Sequence, residues 1–125
     1  MIGVYGIKNC NTMKKCFDYL AERGVSHEFF DYKKQVLTQA DFVSFVGYFG
    51  LDKLINKQGT TYRKLNDNAK ALIASGDVAA IYELVKTHQS LLKRPVVVGE
   101  FSQQPVRLIG FCQADYEQIF GASKS

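Results

Sequence analysis

The chain has 125 residues, 46% of them hydrophobic and 22% charged, with a formal net charge of +4. This composition suits one compact domain with an ordinary core and excludes a disordered chain. No apolar run is long enough to span a bilayer, and the dispersed lysines and arginines do not form a nucleic-acid track, so neither membrane insertion nor direct nucleic-acid binding is expected.

Residues 2–5 read as a short buried strand. Asn9, Asn11 and Thr12 are cap-type residues, and Met13, Phe17, Leu20 and Ala21 follow at helical spacing. They predict a helix over about 11–23, stopped by Gly24. Residues 25–32 alternate loosely and are rich in aromatics, so they read as a second strand. A strand–helix–strand unit of this size should be parallel and right-handed.

The middle of the chain reads as helical. Thr38 caps a helix carrying Phe42, Phe45, Val46 and Phe49 and ending at Gly50. Residues 51–55 suggest a short helical turn, 58–65 a polar loop, and 67–74 and 78–87 two further helices. Arg94 and Pro95 break the pattern. Val96, Val97 and Val98 form one strand, and Val106, Leu108 and Ile109 another, with 99–104 as the hairpin connection. A helix over 114–120, capped by Cys112 or Gln113, precedes a tail expected to be loose. The order β-α-β, helical block, β-β-α is the thioredoxin-type arrangement. It predicts a single α/β domain over 1–125, with a mixed four-stranded sheet and an all-helical insertion over about 38–90 between strands 2 and 3.

The cysteines are Cys10, Cys16 and Cys112. Their odd number, with no secretory leader in the sequence, points to reduced thiols in the cytoplasm. His27 and His88 stand apart, and no Cys/His spacing suits zinc, so no metal site is expected. A thiol reacts as its thiolate and needs a positive field to ionise near neutrality. Cys10 has one available: the unpaired N–H groups at the start of a helix, with Lys8 before it and Lys14 and Lys15 one turn on. The same donors can hold an oxyanion. Six helical positions separate Cys10 from Cys16 by roughly 9 Å or more, too far for a disulfide. The residue three after Cys10 is Met13, so there is no C-x-x-C pair. Cys10 is therefore the candidate nucleophile, acting without a local partner, while Cys16 has a packing role.

The segment from Tyr5 to Lys15, with Asp31-Tyr32-Lys33, the run from Gly59 to Leu65, Lys93-Arg94-Pro95-Val96 and Gly110-Phe111, resembles the glutaredoxin-dependent arsenate reductase (ArsC) superfamily. That superfamily includes the Spx-type regulators, and the likeness is greatest to its YffB-like branch. The resemblance implies a thioredoxin (glutaredoxin-like) fold with a helical insertion. It implies Cys10 as nucleophile with Arg63 and Arg94 as its arginines, Arg107 in the region of a third, and Pro95 as the cis-proline facing the cysteine. Forked, permanently charged arginines suit an oxyanion or a glutathione carboxylate, and Lys8, Asn11 and Thr12 fall beside the same site.

The activity implied is a monothiol reductase with no bound cofactor, glutathione as co-substrate, and a small oxyanion or disulfide as substrate. Glutaredoxin-coupled arsenate reduction is one alternative. A non-enzymatic, Spx-like module binding RNA polymerase is another. Lys8 stands near where the arsenate reductases carry a histidine, and Met13 where Spx-type regulators often carry a second cysteine. Both departures favour the YffB-like branch.

Overall fold

The computed structural model describes residues 1–121; of the tail over 121–125 expected to be loose, 122–125 lie outside the described residues. The chain divides into two compact units. One comprises Met1–Tyr32 and the chain from Arg94 onward, and the other is Lys33–Lys93.

The first unit holds the sheet. Strands β1 (Ile2–Gly6), β2 (His27–Asp31), β3 (Val96–Phe101) and β4 (Gln104–Ile109) lie in the order β2-β1-β3-β4. The β1/β2 pair is parallel, as the strand–helix–strand reading requires, and the other two pairs are antiparallel. This is the mixed sheet of a thioredoxin-like fold.

Helix α1 (Asn11–Glu22) connects β1 to β2. Its buried face is Met13, Cys16, Tyr19 and Leu20. The stripe is therefore rotated from the expected one: Ala21 is exposed, and Phe17 lies at the edge, stacked on His27 and edge-on to Phe29. Helix α7 (Gln113–Phe120) adds Tyr116 and Phe120. Together with Ile2, Val4, Val97 and Val106 these residues form the core, each large apolar side chain contributing about 1.5–3 kcal/mol. At the far end of α1 the Glu117 carboxylate receives hydrogen bonds from the Tyr19 hydroxyl and the Arg23 guanidinium, which ties α7 to α1.

The β3–β4 connection corrects the expected loop over 99–104. Both strands continue to a two-residue turn at Ser102 and Gln103, whose φ angles are 50° and 65°. Such positive angles match the right-handed twist of a hairpin. Gly99 is thus a strand residue. Its φ is 141°, and a Cβ there would run into the Met1 carbonyl just before β1, so only glycine fits.

The second unit is all-helical, apart from one isolated bridge between Ile55 and Leu92. Helices α2 (Gln39–Phe49) and α3 (Leu51–Leu54) come first, with the Thr38 hydroxyl accepting from the Asp41 N–H as the expected N-cap. Residues 58–65, expected as a loop, contain the four-residue helix α4 (Thr60–Arg63). Helices α5 (Asp67–Ser75) and α6 (Val78–Thr87) follow, capped by Asn66 and Asp77, and a 3₁₀ turn spans Gln89–Leu91. Backbone hydrogen bonds from Asn56 to Leu91 and from Lys93 to Leu54, both 2.7 Å, clasp the two halves of this unit. No described helix is long and apolar enough to cross a membrane.

Candidate active site

Strand β1 ends at Gly6, and the chain turns through Ile7, Lys8 and Asn9 into α1. The turn is held by a hydrogen bond from the Cys10 N–H to the Lys8 carbonyl at 3.1 Å. Cys10 itself is the N-cap, with extended backbone angles (φ −145°, ψ 131°), and its carbonyl accepts the first helical bond from Lys14 at 3.0 Å. The cap-type residues Asn11 and Thr12 lie inside the helix. The first turn of α1 carries no acidic residue and no side-chain cap, so nothing negative competes with a thiolate there.

Partial burial by itself would raise the Cys10 pKa. That effect is outweighed by the Met13 N–H, a hydrogen bond from Arg94, the Thr12 N–H and the Arg94 charge, which together hold the thiol below its ordinary value. The net result is a half-buried sulfur biased toward thiolate. Cys16 shows the opposite behaviour on the same helix: burial pushes its thiol up to about 11. Cys112 is exposed, at the N-cap of α7. All three cysteines are free.

Close packing sets the position of Arg94. Antiparallel pairing of Tyr5 with Val96 brings the residues before β3 alongside the end of β1. The Arg94–Pro95 bond is cis, as expected for Pro95, and Pro95 is buried. Gly6 makes the approach close: a Cβ built there would collide with the Met13 sulfur and stand 3.4 Å from the Arg94 Cβ. Gly6, Met13, Arg94 and Cys10 thus form one packed group.

Beside Cys10 lies a hollow of about 540 Å³ whose walls include Lys8, Asn11, Lys14 and Phe17. Lys14 is paired with Asp18 at 2.7 Å along the same wall. Arg107 is on β4, exposed, opposite Val98 and so on the sheet face shared with Gly3. Arg63 is the exposed last residue of α4, in the helical unit. Of the predicted cations, Arg94 acts directly on Cys10. Among the described residues no group of three or more His, Cys, Asp or Glu could hold a metal ion. Met13 and Gly6 were noted only as sequence neighbours of Cys10, and their packing against Arg94 was not expected. The glycine directly after an apolar strand was the one legible signal among them.

The ArsC family model matches residues 5–119. The chain belongs to the ArsC family. An uncharacterized protein of Haemophilus influenzae is 34% identical over 120 residues, covering 96% of this chain and 99% of the relative. Among solved ArsC-like structures, a protein named YFFB superimposes with a TM-score of 0.83 at 33% identity, covering 96% of this chain and 99% of the other. An arsenate reductase (ArsC) related protein from Brucella melitensis is 36% identical, with a TM-score of 0.65 over 94% of this chain and 92% of that one. These likenesses support the YffB-like branch of the ArsC family.

Proposed function

We propose that this ArsC-family protein is a monothiol reductase in which Cys10 is the nucleophile and glutathione supplies the second thiol. The observation that carries this reading is the Cys10 sulfur, biased toward thiolate by the start of α1 and by Arg94, with no second cysteine in its helical turn. In the reaction, the Cys10 thiolate attacks one sulfur of an oxidised substrate. The substrate S–S bond breaks, and the departing thiolate takes a proton from water. A glutathione thiolate then attacks the mixed disulfide, releases Cys10 as thiolate and carries the bound group away as a glutathione disulfide. Arg94 stabilises the thiolate each time it appears.

Lys8, Asn11 and Lys14 offer a polar, cationic wall to an anionic thiol such as glutathione. Arg63 and Arg107 keep their proposed roles as cations for the ligand's carboxylates or an oxyanion. Arg63→Ala is expected to weaken ligand capture without moving the Cys10 titration. A reducing compartment such as the cytoplasm suits this chemistry.

The test is incubation with oxidised glutathione, followed by intact and peptide mass analysis. The expected product is a single glutathionyl adduct on Cys10, formed ahead of any on Cys112 and absent from Cys16. An adduct confined to Cys112, or none, overturns the reading. Measured arsenate turnover with glutathione and glutaredoxin that depends on Cys10 would replace a disulfide by arsenate as substrate. Polymerase capture insensitive to Cys10→Ser, with no thiol turnover, would replace the enzyme by a binding module.

A further inference from the structure

Cys10, Lys14 and Asp18 stand at four-residue spacing, so Cys10 caps a row that continues along the exposed side of α1. The hollow beside Cys10 follows this row. Its walls run from Lys8 to Asp18, with Phe17 as the apolar part. Its volume of about 540 Å³ is in the range of small-molecule sites. Both charged side chains of the row are open to a ligand: Lys14 is 76% exposed and Asp18 57%.

Among the described residues lining the hollow, Asp18 alone is acidic. On a wall that took only anions it would oppose them, and it also occupies Lys14, whose ammonium donates to it at 2.7 Å. Helix stability gives little reason for it. A cation near the start of a helix with an acid one turn later runs against the macrodipole, and the Lys-to-Asp order is the weaker one for an i,i+4 pair. A ligand end that carries an ammonium beside a carboxylate does account for the pair. Its carboxylate meets Lys14 and its ammonium meets Asp18. Lys14 has three donors and the Asp18 carboxylate about four lone-pair sites, so both can bind the ligand without giving up their own bond.

The lengths agree with a γ-glutamyl thiol held on Cys10. The rise of α1 separates the Cys10 and Asp18 backbones by roughly 12 Å, and the Asp18 side chain leans back toward the helix start. From the Cys10 sulfur through a mixed disulfide to the γ-glutamyl α-carbon the extended reach is roughly 10 Å. We propose that the Lys14–Asp18 pair receives the α-amino acid end of the thiol joined to Cys10, so that the site selects γ-glutamyl thiols such as glutathione over thiols that are merely anionic. The inference rests on the proposed reaction at Cys10. There the Cys10 thiolate bonds to one sulfur of glutathione disulfide, the S–S bond breaks, and the departing glutathione thiolate takes a proton from water.

The experiment compares two disulfides on the wild-type protein. One is glutathione disulfide. The other is the disulfide of glutaryl-cysteinyl-glycine, the same skeleton without its ammonium groups. Adduct formation on Cys10 is timed by peptide mass analysis at pH 7 and fixed ionic strength. The second disulfide is the more negative, so a purely cationic wall reacts faster with it. The expected result is the reverse: glutathione disulfide reacts faster by roughly two- to fivefold, the strength of an exposed ion pair. Asp18→Asn is expected to bring this ratio to one or below, and Asp18→Glu to keep it above one. In a Lys14→Met background Asp18→Asn is expected to lower the ratio again, because the carboxylate meets the ammonium directly.

Equal rates in the wild type, or a faster glutaryl disulfide, would make the hollow a plain anion wall and overturn the proposal. A ratio that Asp18→Asn leaves unchanged would make Asp18 a surface ion pair only and do the same. So would a loss that disappears without Lys14, since Asp18 would then act only by masking that cation. Adducts on Cys10 with neither disulfide would instead overturn the proposed reaction itself, which separates the two failures.

Discussion

The Arg94 guanidinium hydrogen-bonds the Cys10 sulfur, so a charge carried just before β3 acts on a thiol at the start of α1. Antiparallel pairing of β1 with β3 makes the contact possible. Tyr5 faces Val96, and the residues beyond this last pair, leading to Cys10 on one strand and coming from Arg94 on the other, meet at the same end of the sheet. Helix start and guanidinium then favour the thiolate together, against the opposing effect of burial.

Arg94→Ala is expected to raise the Cys10 pKa and slow its alkylation near neutrality several-fold. Arg94→Lys should recover part of this, because an ammonium keeps the charge but not the guanidinium's fork geometry. The readout is the rate of iodoacetamide modification of Cys10 from pH 5 to pH 10, with Cys112 as internal reference. An Arg94→Ala profile that overlays the wild type would mean the helix start alone sets the thiol.

Gly6→Ala tests the packing under the site. The added methyl has nowhere to go but into the Met13 sulfur, and Met13 is fully buried. Overpacking of this kind typically destabilises by about 1–3 kcal/mol. Because the Arg94 Cβ stands 3.4 Å from the same methyl, the variant should also disturb Cys10 reactivity. Urea unfolding followed by circular dichroism measures the first effect, and the alkylation profile the second. A fully stable variant would show that Met13 has another rotamer available.

Much of this could be read in advance, and the exceptions have physical causes. Cys10 at a helix start, the parallel β1/β2 unit, Pro95 and the helical insertion all follow from local signals: periodicity, caps and breakers. Helix α4 was missed because four residues, Thr60–Arg63, are too few to show an apolar stripe. Gly99 looked like a turn residue, yet it marks a close backbone approach between β3 and β1. Ser102 and Gln103 make the tight turn without glycine, so nothing in their composition announces it. The stripe of α1 was misread by a fraction of a turn because Cys16 and Tyr19 count as weak hydrophobes although both are buried.

The Glu117 clamp gives a stability prediction remote from the site. One carboxylate accepts from Tyr19 at 2.6 Å and from Arg23, whose guanidinium also covers the Tyr19 ring at 3.7 Å. Arg23 is largely buried, so loss of its partner leaves a poorly solvated cation. Glu117→Ala is expected to lower stability by roughly 1–3 kcal/mol and leave the Cys10 titration unchanged. Thermal unfolding beside the alkylation profile checks both parts, and a shifted Cys10 would show that α7 acts on the site.

Alkaline stability separates the two thiols of α1. Burial raises Cys16 from its ordinary value of 9.0 to about 11, so the folded state holds its proton where the unfolded chain has released it. The unfolded chain therefore binds fewer protons between those values, and stability falls as pH rises through them. Cys10 has the opposite sign. Its folded pKa is lowered, so its contribution is present in full about a unit above the ordinary thiol value and is lost as pH falls. Between pH 9 and 10 the Cys10 contribution completes its rise, by at most about 0.4 kcal/mol, while that of Cys16 declines by about 1 kcal/mol, the Cys16 loss reaching roughly 2–3 kcal/mol near pH 11. The buried Tyr116, whose hydroxyl burial also drives up, adds to the decline only above the ordinary tyrosine value near 10, which keeps the lower window clean. Cys16→Ala should start less stable at pH 7 because it opens a cavity, then lose less than the wild type from pH 9 to 10. Urea unfolding of both proteins at half-unit pH steps measures the two curves. Parallel curves across that window would show that Cys16 ionises in the folded state as it does in the unfolded chain.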